Sequence, residues 1–208
     1  MLVALLATSA TLLALPALAT GEEVHLQGIA SFEGSGSASS LTTESEPTLT
    51  CESTEMIGTV EPGGTTGSMT LDITGCHGTF FGITVKCHTI ASPLDNTVIM
   101  SATFHLITSN QKPAVLTTVN PVTVTCIKGL NVIVSGSSIA TISSPICSQE
   151  SKILKLSFNA TGFIQEDRLY TGVEHDLKFQ TGEGPQRTAA TSQTWTIASE
   201  TLGTLICT

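Results

Sequence analysis

Four carboxylates lie close together in the last quarter of the sequence, and carboxylate oxygens are the ligands that calcium prefers. Glu166 and Asp167 form one pair, and Glu174 and Asp176 form another. A turn near Gly172 would bring the two pairs together. Their spacing does not match an EF-hand loop, so the pattern favours a solvated hairpin over a calcium site. The same acids are the first place to look for the carboxylate pair of a hydrolase.

Two Cys-His pairs are the second feature that suggests chemistry, because Cys and His are common zinc ligands. The pairs are Cys76-His77 and Cys87-His88. Neighbouring residues of a strand point to opposite faces, so the two members of a pair would not converge on one ion. Their spacing also differs from the patterns of structural zinc sites. We therefore expect neither a metal site nor a cofactor.

Signatures of a catalytic nucleophile are missing from the sequence. There is no Gly-x-Ser-x-Gly elbow and no Gly-rich phosphate loop. The histidines adjoin no Ser or Cys in a catalytic pattern; they are His25, His77, His88, His105 and His175. The sequence therefore predicts no catalytic residues and favours a non-catalytic binding or structural protein. The alternative is a secreted hydrolase whose site combines carboxylates and histidines from dispersed loops.

The N-terminus indicates export. Leu2–Leu15 is an almost unbroken apolar stretch, and Ala17-Leu18-Ala19 is the small-x-small pattern of a cleavage site. We interpret residues 1–19 as a signal peptide, although no Lys or Arg precedes the apolar stretch. This stretch is shorter than the roughly 20 residues of a membrane-spanning helix. We therefore predict a secreted or cell-surface protein with no membrane span after signal cleavage.

The chain has 6 cysteines, all downstream of the signal peptide, and this predicts disulfides. Cys51 and Cys76 are symmetric about Gly63-Gly64. A hairpin with its turn at this Gly pair would bring the two cysteines together, which predicts a Cys51–Cys76 bridge. Cys76–Cys87 is the local alternative.

The second half of the chain shows a similar arrangement. Cys126 and Cys147 are symmetric about Gly136-Ser137, a Gly-first pair that suits a type II′ hairpin turn. This predicts a Cys126–Cys147 bridge. With Cys51–Cys76 also formed, the remaining pair is Cys87–Cys207, which would tie the C-terminus to the first half.

Charge is concentrated near the N-terminus. The net charge is −9, and all of it comes from Thr20–Asp72, which contains acidic residues but no Lys or Arg. Such a surface repels nucleic acid and anionic membranes, which argues against both as partners. Strict symmetry about Gly63-Gly64 would also place Glu55 opposite Asp72. Because facing like charges destabilise a sheet, we expect the register of this hairpin to shift.

Period-two alternation of apolar and polar residues predicts strands through most of the mature chain. The clearest segments are Val98–Ile107, Leu154–Ala160, Leu177–Gln180 and Thr194–Ala198. Short strands between turn clusters predict an antiparallel β-sandwich, Ig-like or jelly-roll-like and stapled by disulfides. We assign residues 20–208 to one domain, with a split near Lys112-Pro113 as the alternative. The composition of Glu33–Ser40 suggests a flexible linker or an ordinary loop.

Several short motifs resemble those of exported, cysteine-paired, Thr/Ser-rich β proteins of high-GC Gram-positive bacteria. They are Thr48-Leu49-Thr50-Cys51, Ile73-Thr74-Gly75-Cys76, Thr84-Val85-Lys86-Cys87, Tyr170-Thr171-Gly172-Val173 and Asp176-Leu177-Lys178. The resemblance implies an extracellular β protein and transfers no functional residue. The partner that we expect is an extracellular ligand or a cell-surface component.

Overall fold

The computed structural model describes residues 24–44, 48–92, 96–127 and 130–208. The predicted signal peptide, residues 1–19, lies outside the described residues. In the part that is described, no helix has the length and apolar character needed to cross a membrane. The strands are β1 (Val24–Gln27), β2 (Ser31–Gly36), β3 (Ser39–Thr43), β4 (Thr48–Cys51), β5 (Ser53–Val60), β6 (Thr66–Thr74), β7 (His77–Phe80), β8 (Ile83–Lys86), β9 (His88–Thr89), β10 (Val98–Ser109), β11 (Lys112–Ile127), β12 (Leu130–Ser144), β13 (Glu150–Phe158), β14 (Ala160–Thr161), β15 (Ile164–Gln165), β16 (Leu169–Tyr170), β17 (Val173–Glu174), β18 (Leu177–Thr181) and β19 (Arg187–Cys207).

Among the described residues, a ring of antiparallel strands forms a closed barrel. The hydrogen-bonded order is β13, β12, β11, β10, β6, β5, β2 and β19, and β19 pairs with β13 to close the ring. Closure leaves these strands without a free edge over the paired region. We call the end with the β5–β6 turn at Glu61–Gly64 the near end. The end with the β7–β8 turn at Phe81–Gly82 is the far end.

The all-β prediction is confirmed, but the strands do not form the two separate sheets of the predicted sandwich. The alternation did identify the buried face correctly, since Phe104, Leu156 and Phe179 are all buried inside the barrel. Alternation shows that one face of a strand is covered. It does not show whether that face packs against a second sheet or whether the sheet closes into a barrel around it.

Long strands extend the barrel beyond the closed ring. β19 pairs with β18 and then β13 along one side, and with β3 and then β2 along the other. Thus β18 and β13 lie end to end at one position around the barrel. Residues 159–176 leave the barrel between β13 and β18, and we call this segment the excursion. A division near Lys112-Pro113 would cut the β10–β11 hairpin, whose pairing continues to Ser109↔Lys112.

The segment Glu33–Ser40 is not a linker, because it belongs to strands β2 and β3. Its small residues have a packing role. A Cβ at Gly36 would lie 2.7 Å from Cδ1 of Trp195, and one at Gly34 would lie 2.8 Å from Cγ of Met56. These glycines therefore allow two large inward side chains to pack against the strand backbone.

Strands β5 and β6 form the hairpin that the cysteine spacing predicted about Gly63-Gly64. The pairing is regular along the whole of Ser53–Val60. Glu55 therefore faces Asp72, and the predicted register shift is wrong. Both side chains are exposed on the outer surface, where water and salt weaken the repulsion between them.

The predicted hairpin about Gly136-Ser137 is wrong, because both residues lie inside β12. Gly136 has a positive φ of 96°. A Cβ at this position would lie 2.5 Å from the carbonyl oxygen of Asp176, and the Ser137 N–H donates a hydrogen bond to that oxygen at 3.3 Å. The glycine therefore permits a close approach of the chain just before β18, and it does not mark a turn.

Two of the three predicted disulfides are also wrong. The Cys51–Cys76 bridge is present as predicted, whereas Cys126–Cys147 and Cys87–Cys207 are replaced by Cys87–Cys126 and Cys147–Cys207. Strand β12 separates Cys126 from Cys147, and its 15 residues span roughly 50 Å at the usual rise of a strand. A disulfide needs its two Cα atoms within about 7 Å.

The actual bridges follow from strand pairing. β9 pairs with the end of β11 at His88↔Thr125, which places Cys87 beside Cys126. After β12 the chain turns at the near end, where the Ser148 N–H donates to the carbonyl oxygen of Leu205. This contact places Cys147 beside Cys207 at the end of β19.

Candidate functional site

The four predicted calcium ligands lie in the excursion, but their side chains have separate partners. Asp167 accepts hydrogen bonds from Asn110 Nδ2 at 2.9 Å and from Thr141 Oγ1 at 2.8 Å. Glu166 Oε1 accepts one from Thr161 Oγ1 at 3.0 Å. Asp167 therefore attaches the excursion to the β10–β11 turn and to β12.

The other two acids pair with cations. Glu174 Oε1 lies 3.2 Å from Arg168 Nη2, and Asp176 Oδ2 lies 3.9 Å from Lys178 Nζ. In the described ranges, no three His, Cys, Asp or Glu side chains are grouped so that they could hold a metal ion. The structure thus shows no convergence of the four carboxylates on a common point.

The excursion covers a small apolar cluster on the outside of the barrel. Ile107, Ala114 and Ile139 are buried there, and Tyr170 of the excursion packs against them. The Tyr170 ring also makes an edge contact with His105, with ring centroids 5.9 Å apart. The excursion therefore has a structural role. Asp167 and Tyr170 attach it to the outer surface of strands β10, β11 and β12.

Gln165 completes the barrel wall where the chain leaves it. Its side chain is buried, and its Oε1 accepts a hydrogen bond from the Thr191 N–H at 3.0 Å. Its Nε2 donates to the Asn159 carbonyl oxygen at 2.7 Å. The side-chain amide thus replaces a peptide group between β13 and β18, which explains why a buried polar residue is tolerated there.

The structure also brings a serine and a histidine together, which the sequence did not suggest. Ser137 Oγ lies 3.0 Å from His175 Nδ1. The His175 ring lies beside Tyr170, with centroids 6.2 Å apart. Neither Ser137 nor His175 lines the two interior spaces described next. A Ser-His contact resembles part of a hydrolytic site, but it belongs here to the covered outer face.

The first interior space lies at the near end, and we call it the near pocket. Its volume is about 40 Å³. Its wall consists mainly of apolar side chains from strands around the ring, including Leu26, Phe32, Met69, Phe104, Leu156 and Trp195. Ile153, which is 46% exposed, and the exposed Lys152 lie at its mouth.

The second interior space lies nearer the middle of the barrel, and we call it the central cavity. Its volume is about 80 Å³. Most of its wall is apolar and includes Leu41, Leu71, Val98, Val119, Val134 and Phe158. Residues with polar side chains also line it: Ser39, Ser40, Thr117, Ser138, Thr191, Gln193 and Trp195.

Four of these side chains have unsatisfied hydrogen-bonding atoms. Thr117 Oγ1, Ser138 Oγ, Gln193 Oε1 and Trp195 Nε1 are buried and have no hydrogen-bond partner among the described residues. Thr117 and Ser138 are direct cross-strand partners, so the two residues are neighbours on the inner face of the barrel. Leaving one such group unpaired costs about 1–3 kcal/mol. Four of them would offset much of the roughly 5–15 kcal/mol by which a typical domain is stable.

Sequence reasoning missed these residues, although a signal for them was present. Thr117 shares the inward face of β11 with Val115 and Val119. Ser138 shares the inward face of β12 with Ala140 and Val134. A polar residue at an inward position of an otherwise apolar alternation indicates either a buried hydrogen bond or a cavity. The pattern becomes informative only once the strand is known to face the interior.

A scan against protein-family models, a search of curated proteins and a search of solved structures each found no match to this chain.

Proposed function

We propose that this protein is a secreted, non-catalytic binding protein whose near pocket holds an apolar small molecule or alkyl group. The supporting observation is the apolar wall of this pocket together with its mouth at the barrel end. Concave, mostly apolar spaces with few polar groups are the usual sites of small-molecule binding. The interior of a closed eight-stranded barrel is either filled by side chains or holds one small ligand.

Disulfide content supports the extracellular part of this proposal. The structure contains the bridges Cys51–Cys76, Cys87–Cys126 and Cys147–Cys207. Bridges of this kind persist in oxidising compartments and are rare in the reducing cytosol. The apolar N-terminal stretch, Leu2–Leu15, supports the same localisation.

The size of the pocket limits the ligand to a short chain. Its volume of about 40 Å³ is well below the roughly 150 Å³ of an engineered cavity that binds benzene. The end of an alkyl chain can enter such a space while the rest of the chain lies along the open mouth, whereas a large ring system cannot enter. Lys152, at the mouth, would favour a ligand whose outer end carries a carboxylate.

Titration with hexanoate and hexanol tests the proposal. Trp195 lines the pocket and is the protein's single tryptophan, so its fluorescence should report occupancy. We expect a saturable change with both probes and tighter binding of hexanoate. Ile153→Asp should weaken both, because it places a charge at the apolar mouth.

Leu202→Asp is the matched control. Leu202 is 51% exposed, close to the 46% of Ile153, but it does not line the pocket. It should leave both affinities unchanged. The proposal would be wrong if neither probe gives a saturable signal, or if the two variants weaken binding equally.

A further inference from the structure

The central cavity has a mostly apolar wall and four polar side chains with unpaired atoms. We call these four side chains, Thr117, Ser138, Gln193 and Trp195, the polar band. Three members of the band are more than nine-tenths buried: Thr117 is 3% exposed, Ser138 3% and Trp195 2%. Their hydrogen-bonding atoms have no partner in the described part of the protein. Gln193 adds a carbonyl oxygen that is also unpartnered. Because the four residues line one space, a molecule in that space lies beside these unpaired atoms.

The wall argues for an organic occupant over a cluster of water molecules alone. A buried water typically makes about three hydrogen bonds, and a cavity needs roughly 10–15 Å³ for each water. A space of about 80 Å³ would therefore require several waters. Most of the wall is apolar, so waters beside it would lack hydrogen-bond partners. A molecule with a carbon portion would instead cover the apolar wall and direct its polar end to the band.

The chemistry of the band defines the polar end of the occupant. Trp195 Nε1 is only a donor, so it requires an acceptor on the ligand. Gln193 Oε1 is an acceptor and requires a donor. The hydroxyl groups of Thr117 and Ser138 can serve in either role. No charged side chain is among the residues that line the cavity, so an ionised ligand would lose its hydration without gaining a counter-charge.

We propose that the central cavity is a binding site for a small uncharged molecule that has a donor and an acceptor on one end and a short carbon portion on the other, as in a primary amide. The site is distinct from the near pocket, and only Trp195 lines both. The proposal rests on the unpaired polar atoms and does not depend on a ligand in the near pocket.

Three probes of nearly equal shape test this chemistry. Propionamide has a donor and an acceptor, butanone has only an acceptor, and propionate is charged. We expect propionamide to give a saturable change in Trp195 fluorescence and in the NMR signals of residues lining the cavity. Its affinity should exceed those of butanone and propionate by about tenfold, because each of them lacks a required hydrogen bond or carries an uncompensated charge.

A double variant tests whether the polar band is responsible. Thr117→Val with Ser138→Ala removes two hydroxyl groups with little change in shape, and it should weaken propionamide binding by about tenfold or more. Ser109→Ala is the matched control, since Ser109 is also a buried, unpartnered hydroxyl but does not line the cavity. It should leave the affinity unchanged.

Three results would overturn the proposal. One is the absence of saturable propionamide binding, which would indicate that the cavity holds only water. Another is equal binding of the three probes, and the third is unchanged propionamide binding in the double variant. Ile153→Asp should affect hexanoate but not propionamide, so a failure at one site is distinguishable from a failure at the other.

Discussion

The near pocket and the central cavity lie in the same barrel, yet their walls differ in chemistry. The near pocket is lined almost entirely by apolar atoms, and the central cavity carries a band of unpaired polar atoms. On β11 this difference depends on neighbouring inward positions, since Val115 faces the near pocket and Thr117 faces the central cavity. A single strand can therefore present two environments along one face. The first suits an alkyl chain, and the second requires a hydrogen-bonding partner.

Trp195 separates the two spaces. Its side chain is 2% exposed and lines both of them. Its ring makes an edge contact with Phe158, with centroids 4.6 Å apart. The carbon surface of the indole faces apolar neighbours, while Nε1 belongs to the polar band. This one residue thus contributes to both environments because an indole is amphipathic.

The largest effect is expected from Trp195→Ala, which would merge the two spaces. Removing a fully buried indole should lower the free energy of unfolding by about 5 kcal/mol, from lost burial and from the enlarged cavity. Urea unfolding followed by far-UV circular dichroism measures this loss. NMR titration should show that hexanoate and propionamide no longer bind at separate sites. Retention of two separate sites would contradict the view that Trp195 divides the interior.

Trp195→Phe is the matched control for this change. It keeps an aromatic ring between the spaces but removes Nε1. We expect a smaller loss of stability, unchanged hexanoate binding and weaker propionamide binding.

Loss of individual disulfides should affect the two spaces separately. Replacing Cys147 and Cys207 by Ala should lower the free energy of unfolding by about 4 kcal/mol, because this bridge has a sequence separation of 60. Pro145 and Leu205, which line the near pocket, lie two residues from these cysteines, so hexanoate binding should weaken. Denaturant unfolding and titration of the oxidised variant measure the two effects.

The comparison variant replaces Cys51 and Cys76 by Ala. The Cys51–Cys76 bridge has a sequence separation of 25. The expected loss in the free energy of unfolding is therefore slightly smaller, about 3.5 kcal/mol. Because Cys51 lines the central cavity, propionamide binding should weaken and hexanoate binding should not. The two spaces would not be independent if each double variant weakened both probes equally.

The smallest effects come from exchanging residue types between adjacent inward positions of β11. Val115→Thr places a hydroxyl group in the apolar near pocket and should lower the free energy of unfolding by about 2 kcal/mol. Thr117→Val removes an unpaired hydroxyl group and should raise the free energy of unfolding by about 1 kcal/mol. Thermal and urea unfolding measure both.

Thr118→Val is the control for this pair, because Thr118 is exposed on the same strand. It should change the free energy of unfolding by no more than about 0.5 kcal/mol. If Val115→Thr and Thr117→Val changed stability in the same direction and by the same amount, the two spaces would not differ as proposed.

Local sequence patterns were reliable where a single hairpin decides the structure. The β5–β6 hairpin and the Cys51–Cys76 bridge follow from symmetry about Gly63-Gly64. The same reasoning failed at Gly136-Ser137, because glycine there accommodates a contact with the chain before β18. A glycine with positive φ serves a turn and a close approach equally well. The difference depends on a segment about forty residues away in the chain.

The candidate sites show the same limit. The acids Glu166, Asp167, Glu174 and Asp176 were conspicuous in the sequence, but they hold the excursion or pair with neighbouring cations. Thr117 and Ser138 were inconspicuous, and they line a cavity. Residue type indicates which chemistry a side chain can perform, whereas strand pairing decides which side chains meet.

The sequence by itself determined that this is an all-β chain with paired cysteines, and its alternation determined the buried face of the four strands in which it is clearest. Only the tertiary structure decided that the sheet closes on itself and which of the later cysteines pair. It also decided that Thr117, Ser138, Gln193 and Trp195 share one space. The physical reason is that alternation arises within one strand. Closure, bridging and cavity walls arise from contacts between strands that are distant in sequence.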